Sequence, residues 1–295
     1  MQKSSLVSDN RKEALLFTVI ASSLWGTSFP AIKLGLQYMD AYSFVFLRFF
    51  FASLIMFAVI LLTKNFNFCF NKKRLILFLG VINGTAYLLQ YLGMVYAFAS
   101  KSSLFVNLSV VWVALLSPLV LKEQIGRKKV IGVIFSLLGV VFLTTNLDFG
   151  SLGVGEIVGD LFVIGAGILW AIFIVYNKPL VMESKNMIQS MTWLLFFTLL
   201  PLLPIVPFHS ENFLSLTWEA WAAIIYTALF CWVAPYYLWI KGLKNIPTVT
   251  SAVILLNEII VAVTISIVVL GEVMTAASGL GAIFIILAIL LVSYG

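Results

Sequence analysis

Charge is what this 295-residue chain has least of: 10% of its residues are charged and 62% are hydrophobic, against about 25% and about 45–50% in an ordinary soluble domain. That composition excludes a water-soluble fold. Two cysteines, Cys69 and Cys231, and one histidine, His209, exclude a metal cage of the usual Cys/His kind and a disulfide framework. A Gly-x-x-x-x-Gly-Lys-Ser/Thr loop is also missing, so ATP is not a direct energy source. At about 20 residues per membrane crossing, ten crossings use most of the chain and leave no room for a separate soluble domain.

What the chain does have is a series of apolar runs with charges, glycines and prolines between them. These predict ten helices over 14–36, 41–63, 75–97, 102–121, 129–146, 157–178, 188–208, 218–240, 247–270 and 274–294. The runs lack the two-residue alternation of a barrel, and a lipid-exposed backbone must bond to itself. The predicted fold is an all-α integral membrane protein. Asp9, Arg11, Lys12 and Glu13 precede the first run, which continues past Trp25 and Pro30 without a small-residue cleavage pattern. It reads as a retained span and not a signal peptide.

The net charge of +6 is sorted by side. With the N-terminus inside, Lys3, Arg11, Lys12, Lys64, Lys72, Lys73, Arg74, Lys122, Arg127, Lys128, Lys129, Lys185, Lys241 and Lys244 fall on the cytoplasmic side and Lys101 alone outside. Lys33, Arg48 and Lys178 lie within spans or at their edges. A miscounted helix would scramble this pattern, so ten spans with both termini cytoplasmic is the expectation.

The chain also repeats itself. Leu24-Trp25 with Lys33 returns as Leu169-Trp170 with Lys178, offset by 145 residues, and Leu121-Lys122-Glu123 returns as Leu270-Gly271-Glu272, offset by 149. Each is followed by a Gly-containing span, with Gly132 and Gly139 in the first half and Gly279 and Gly281 in the second. The halves are 1–147 and 148–295. Five spans per repeat is an odd number, so the second repeat enters the membrane inverted, a transporter signature.

The run Leu24-Trp25-Gly26-Thr27-Ser28-Phe29-Pro30 with Lys33, then Arg48, the Leu-Lys-Glu ending at Glu123 and the Gly-rich fifth span resemble the drug/metabolite transporter superfamily, and within it the EamA group, over nearly the whole chain. The resemblance implies ten helices in two five-helix repeats and no cofactor. It implies a small-molecule substrate, an amino acid or related amphipathic metabolite, often exported, and a bacterial or archaeal inner membrane. The fifth and tenth spans would then sit away from the substrate path, at a homodimer contact. The second repeat departs from the first: Ala171 replaces Gly26, and Glu258 stands where the first has Ser109.

Glu258 is the sharpest single feature, near the middle of the ninth apolar run. A carboxylate at the bilayer centre costs roughly 2.5–3.5 kcal/mol on insertion scales, so it should face the bundle interior. There it would exchange a proton and couple proton movement to transport, or serve structurally in a pair with Arg48 or Lys33. Arg48, about two turns into the second span, calls for an acidic partner or a substrate carboxylate, which its planar guanidinium suits. Lys33 and Lys178 occupy matching positions near opposite faces; they read first as snorkelling anchors, and their symmetry permits a gate role. Pro30 beside Lys33, inside its helix, would free a carbonyl and act as a hinge or a static kink. Pro179 lies beside Lys178.

Asn83, Tyr87, Gln90 and Tyr91 share one face of the third span, and Trp232, Tyr236 and Trp239 one face of the eighth. Tyr87 and Gln90 align with Tyr236 and Trp239 at the 149 offset, so the repeats would present these stripes from two sides of a cavity. Stacking aromatics and amides suit a small amphipathic molecule; helix packing is the plainer alternative. Trp25 and Ser28 of the first span, Asn107 of the fourth and Asn257 of the ninth complete the expected substrate-binding set. Nearby Ser103, Trp112 and Thr250 read equally as packing residues.

The leading reading is a secondary transporter working by alternating access. A membrane-embedded enzyme such as a lipid-linked transferase would need clustered acids or a nucleophile with its base, and Asp148, Glu156 and Asp160 are too scattered for that. A channel would show a charged ring or a filter sequence. Exchange of a nucleotide-linked or sulfonium metabolite is the alternative substrate reading. A polyphosphate would need more interior basic residues than Arg48, Lys33 and Lys178, whereas a cation could be held by Glu258 and the aromatic faces.

Overall fold

The structure, a computed structural model, describes residues 2–64, 72–96, 105–145, 147–149, 157–204, 216–270 and 275–294. All regular structure among these residues is helical. Eight helices are long and apolar enough to cross a bilayer, and Phe105–Leu121 and Met187–Thr198 are shorter apolar helices; together they occupy the ten expected spans. Lys101, Ser103, Glu156, His209, Cys69, Gly271 and Glu272 lie outside the described residues.

Local capping explains several span starts. Asp40 accepts from the backbone N–H groups of Tyr42 and Ser43 at 2.8 and 3.1 Å and opens the second span, Ala41–Leu62. Asn186 caps Met187–Thr198, Thr217 caps Trp218–Ala228 and Thr275 caps Ala276–Ser293 in the same way, each satisfying a donor that the first helical turn leaves free. Lys122 closes the fourth span in the left-handed conformation, φ 57°.

Four spans differ from the continuous helices expected. The first is two helices, Gln2–Gly26 and Ser28–Gly35; Pro30 has no N–H to give the Gly26 carbonyl, so the ladder fails there. The ninth is Thr248–Leu255 and Asn257–Leu270. In the fourth, Leu108 likewise interrupts the helix before Ser109–Leu121. Leu108 and Leu256 hold near-identical backbone angles, and their carbonyls accept i→i+3 bonds from Val111 and Ile259 at 2.9 and 3.1 Å. Such tightening misaligns the ladder and loosens one turn. The seventh span, expected over 188–208, has its α-helix end at Thr198 and passes into turns over 199–202, because Pro201 disfavours helical backbone at the residue before it.

Which spans touch repeats with a shift of five. The third packs on the sixth as the eighth packs on the first; the fourth on the sixth as the ninth on the first; the fifth and tenth pack on each other. That last contact is made by small residues. A methyl group at Gly139 would sit 2.8 Å from the Gly281 carbonyl oxygen, and one at Gly281 at 2.8 Å from that of Gly139, so only glycine permits this approach. These glycines therefore serve a contact within the chain. All ten spans contribute to the main buried core, whose largest members are Trp232 and Trp239, and the first, second, third, fourth, sixth, eighth and ninth ring its centre.

Candidate functional site

Inside this ring of spans lies a cavity of about 140 Å³. Trp25 and Ser28 reach it from either side of the break in the first span, Arg48 from the second, and Asn83, Tyr87, Gln90 and Tyr91 from the third. Asn107 and Ser109 flank the interruption of the fourth span, while in the ninth Leu256 is the interruption and Glu258 follows it. Trp232, Tyr236 and Trp239 line it from the eighth. Asn257 does not join the lining: its amide donates to Ser22 and Ser23 at 3.2 and 3.0 Å and ties the ninth span to the first. Lys33 lies in the helix Ser28–Gly35, and its side chain is outside what the structure describes.

The walls are aromatic. Trp232 stacks on Tyr236 with centroids 4.5 Å apart, Phe173 stacks on Trp239 at 6.2 Å, and Tyr87 meets Trp170 edge-on at 4.8 Å. Several polar groups of the wall are already paired. Tyr236 donates to Asn177 Oδ1 at 2.6 Å, Trp239 to Ser251 at 2.8 Å and Trp170 to Gln90 at 3.3 Å. Asn83 donates to Thr198 at 3.0 Å.

Of the two partners expected for Arg48, an acidic side chain and a substrate carboxylate, the described residues supply no acid. One guanidinium nitrogen donates to the Cys231 carbonyl at 3.0 Å, and its central carbon lies 5.2 and 5.4 Å from the ring centres of Tyr87 and Phe49. Cys231 sits in a five-residue π-turn, Leu229–Val233, four residues before Pro235, which lacks the N–H an α-helix would return to that carbonyl. The arginine takes the acceptor that the proline leaves open. Its Nε and the Tyr91 hydroxyl are buried against each other and, like Asn83 Oδ1, have no further hydrogen-bond partner.

Glu258 opens the helix Asn257–Leu270 and is half-buried at the cavity wall. Its carboxyl makes no ion pair with Arg48 and no hydrogen bond among the described residues. Tyr87 is within electrostatic reach of both Arg48 and Glu258. The cavity thus carries a cationic group and a carboxyl group that do not neutralise each other directly. A methyl group at Gly26 would lie 2.6 Å from the Glu258 carbonyl oxygen, so the break in the first span rests against the backbone of this residue. Among the described residues no three His, Cys, Asp or Glu side chains gather where a metal ion would sit.

Trp170, Phe173 and Asn177 of the sixth span were not among the expected site residues. Trp170 carried a signal, since it is the repeat equivalent of Trp25, and both line the cavity. Asn177 is fully buried and carried none beyond its polarity.

Comparison with known proteins agrees with this architecture. The family model described as EamA-like transporter family matches twice, over residues 12–145 and 157–294. An uncharacterized transporter of Archaeoglobus fulgidus is 27% identical over 250 residues, covering 83% of this chain and 84% of its own length. The uncharacterized transporter YyaM of Bacillus subtilis is 23% identical over 274 residues, covering 91% and 89%. A solved crystal structure superposes with a TM-score of 0.81 over 95% of this chain and 96% of that one at 16% identity, a likeness of fold. Two matches that together span most of the sequence place this multi-pass membrane protein in the EamA-like transporter family.

Proposed function

We propose that the chain is a secondary transporter of a small zwitterionic metabolite of amino-acid size, that it works by alternating access in the cytoplasmic membrane, and that Glu258 couples proton movement to transport. One observation carries the reading: the same cavity presents Arg48, whose buried Nε lies beside the Tyr91 hydroxyl and meets no acidic group among the described residues, and a Glu258 carboxyl with no cation against it. A guanidinium held among aromatic rings at membrane depth is costly without a counter-charge. A ligand carboxylate supplies it in the planar, two-point geometry that arginine favours. The ligand's ammonium is then available to Glu258, and the stacked rings contact its apolar part.

Size agrees with the charge argument. One water needs roughly 10–15 Å³ of such volume, so 140 Å³ holds a solute of about ten heavy atoms. The glutamate also provides the coupling group, because a carboxyl inside a membrane bundle can carry a proton across the step that reorients the cavity. A simple cation, held by Glu258 with Trp25 and Trp239, is the second reading, favoured by the aromatic walls.

The test is counterflow of labelled amino acids into proteoliposomes, with and without an imposed pH gradient, for the native protein and Glu258→Gln. Gradient-driven accumulation by the native protein and only equilibrative exchange by the variant is the expected result. Equal, gradient-independent exchange by both would remove the coupling role. Uptake of sulfonium or quaternary ammonium compounds in place of zwitterions would establish the second reading.

A further inference from the structure

We propose that Glu123 and Lys178 form the latch that closes the transport path at the basic end of the bundle, the end that the lysine and arginine distribution assigns to the cytoplasm; this rests on the transport reading above. Neither residue lines the cavity. Both grip one tight turn, Ile246–Pro247, which joins the eighth span to the ninth.

Lys178 Nζ donates to the carbonyls of Leu243, Lys244 and Ile246 at 2.6, 3.2 and 2.9 Å. An ammonium has three hydrogens, and all three have an acceptor where the helix Ala234–Asn245 ends. Glu123 does the reverse. Its two carboxylate oxygens each accept from the Thr248 N–H at 3.0 Å, one accepts from the Thr248 hydroxyl at 2.8 Å and the other from Ser117 at 2.7 Å. Thr248 is the first residue of the helix Thr248–Leu255, whose N-cap, Pro247, has no capping side chain. A cation thus sits on a helix C-terminus and an anion on a helix N-terminus, the arrangement the helix dipole stabilises. The two charges come from the fourth and sixth spans, one from each repeat.

Between latch and cavity the path is filled. Trp239 on Ser251 and Tyr236 on Asn177 form the cavity floor, and Asn177, Leu243, Thr248, Thr250 and Ser251 are fully buried. Opening the cavity toward this end requires the eighth and ninth spans to part from the fourth and sixth. That movement must release the bonds of Glu123 and Lys178. The exposed ion pair Lys72–Glu183 at the same end is half in solvent and holds little.

Accessibility reads the latch without any knowledge of the substrate. In a Cys69→Ser/Cys231→Ala background, Ala252→Cys places a thiol on the cavity wall, and an impermeant maleimide is applied to right-side-out and inside-out vesicles. With the latch intact, labelling proceeds from the outer face and is slow from the cytoplasmic face. Glu123→Gln and Lys178→Met each raise the cytoplasmic rate by about tenfold, as expected for loss of hydrogen bonds to a charged group, while Lys178→Arg keeps it low. Unchanged cytoplasmic labelling in both charge variants, with outer labelling retained, would overturn the latch. Should either fail to reach the membrane, Thr248→Val removes one hydroxyl only; a rise in cytoplasmic labelling supports the latch and its absence overturns it. Labelling from neither side in any variant would overturn the transport reading and the latch with it.

Discussion

The first and sixth spans occupy equivalent places in the two repeats, yet one is broken and the other is not. Gln2–Gly26 and Ser28–Gly35 meet at Thr27, whereas Ile157–Glu183 is a single helix of 27 residues. Both contain a proline, so proline alone does not decide. In the first span the carbonyl that Pro30 leaves unbonded is that of Gly26, a residue that weakens a helix by about 1 kcal/mol relative to alanine. The Thr27 hydroxyl adds to this by bonding the Leu24 carbonyl at 2.7 Å, a local competitor for the ladder. In the sixth span the carbonyl facing Pro179 is that of Val175, a fully buried residue whose packing holds the backbone, and Ala171 replaces the glycine. A shared scaffold thus supplies two arms, and a few local residues break one of them beside Glu258.

The most damaging way to break this comparison is to fill the space at the break. Gly26→Val places a Cβ 2.6 Å from the Glu258 carbonyl oxygen and 2.7 Å from Val261 Cβ. A loss of about 3 kcal/mol is expected, the upper end of ordinary overpacking, with loss of transport. Ala171→Gly in the sixth span should cost only about 1 kcal/mol and leave transport largely intact. Thermal unfolding in detergent together with vesicle uptake reads both, and equal losses would show that the arms do not differ. Next in size is Asn177→Leu. It strands the buried Tyr236 hydroxyl at a cost of about 1–3 kcal/mol, and Tyr236→Phe in the same chain should recover part of it.

Much of this architecture was legible in the sequence, for physical reasons that also mark where legibility stopped. The ten spans are visible because most charges fall between apolar runs, and the repeat because Trp25–Lys33 and Trp170–Lys178 keep one spacing. The cavity faces of the third and eighth spans follow from helical periodicity, which survives the π-turn at Leu229–Val233. The interruptions at Leu108 and Leu256 carry no glycine or proline signal; each lies beside an asparagine, Asn107 and Asn257, in a run that otherwise reads as one helix. Because intramembrane charge usually pairs with charge, the sequence points Arg48 to an acidic partner or a substrate carboxylate. The carbonyl acceptor of Arg48 was written in Pro235, four residues past Cys231, but only the fold brings the second span to that point. Glu123 was visible as a motif, and its work on the Thr248 helix required the two repeats to be placed together.

The prolines sharpen the comparison with a smaller effect. Pro179 lies inside a helix and Pro30 in the first turn of one, where a missing N–H matters less. Pro179→Ala should therefore raise stability by about 1–3 kcal/mol, and Pro30→Ala by less. If the broken arm is the one that moves, transport should respond in the opposite order, because alanine at position 30 returns an N–H to the Gly26 carbonyl. Turnover measured at saturating substrate distinguishes the two, and a larger loss in Pro179→Ala would place the moving element in the sixth span.

The smallest expected effect concerns how each arm is tied to the eighth span. Tyr236 holds the sixth span through Asn177 at 2.6 Å, and both residues are at most 2% exposed. Tyr226 holds the first span through Thr27 at 2.8 Å, and its ring is 37% exposed. A buried pair keeps its bond because neither partner has an alternative, while an exposed tyrosine can turn to water or a lipid headgroup. A double-mutant cycle on Thr27→Val and Tyr226→Phe should give a coupling of about 0.5 kcal/mol, and the cycle on Asn177→Leu and Tyr236→Phe about 1–2 kcal/mol. The weaker tie belongs to the broken arm, as it must if that arm moves during the cycle while the sixth span stays docked. Equal couplings would mean that the break at Thr27 is a static kink, and the hinge would then have to be sought at Leu108 and Leu256.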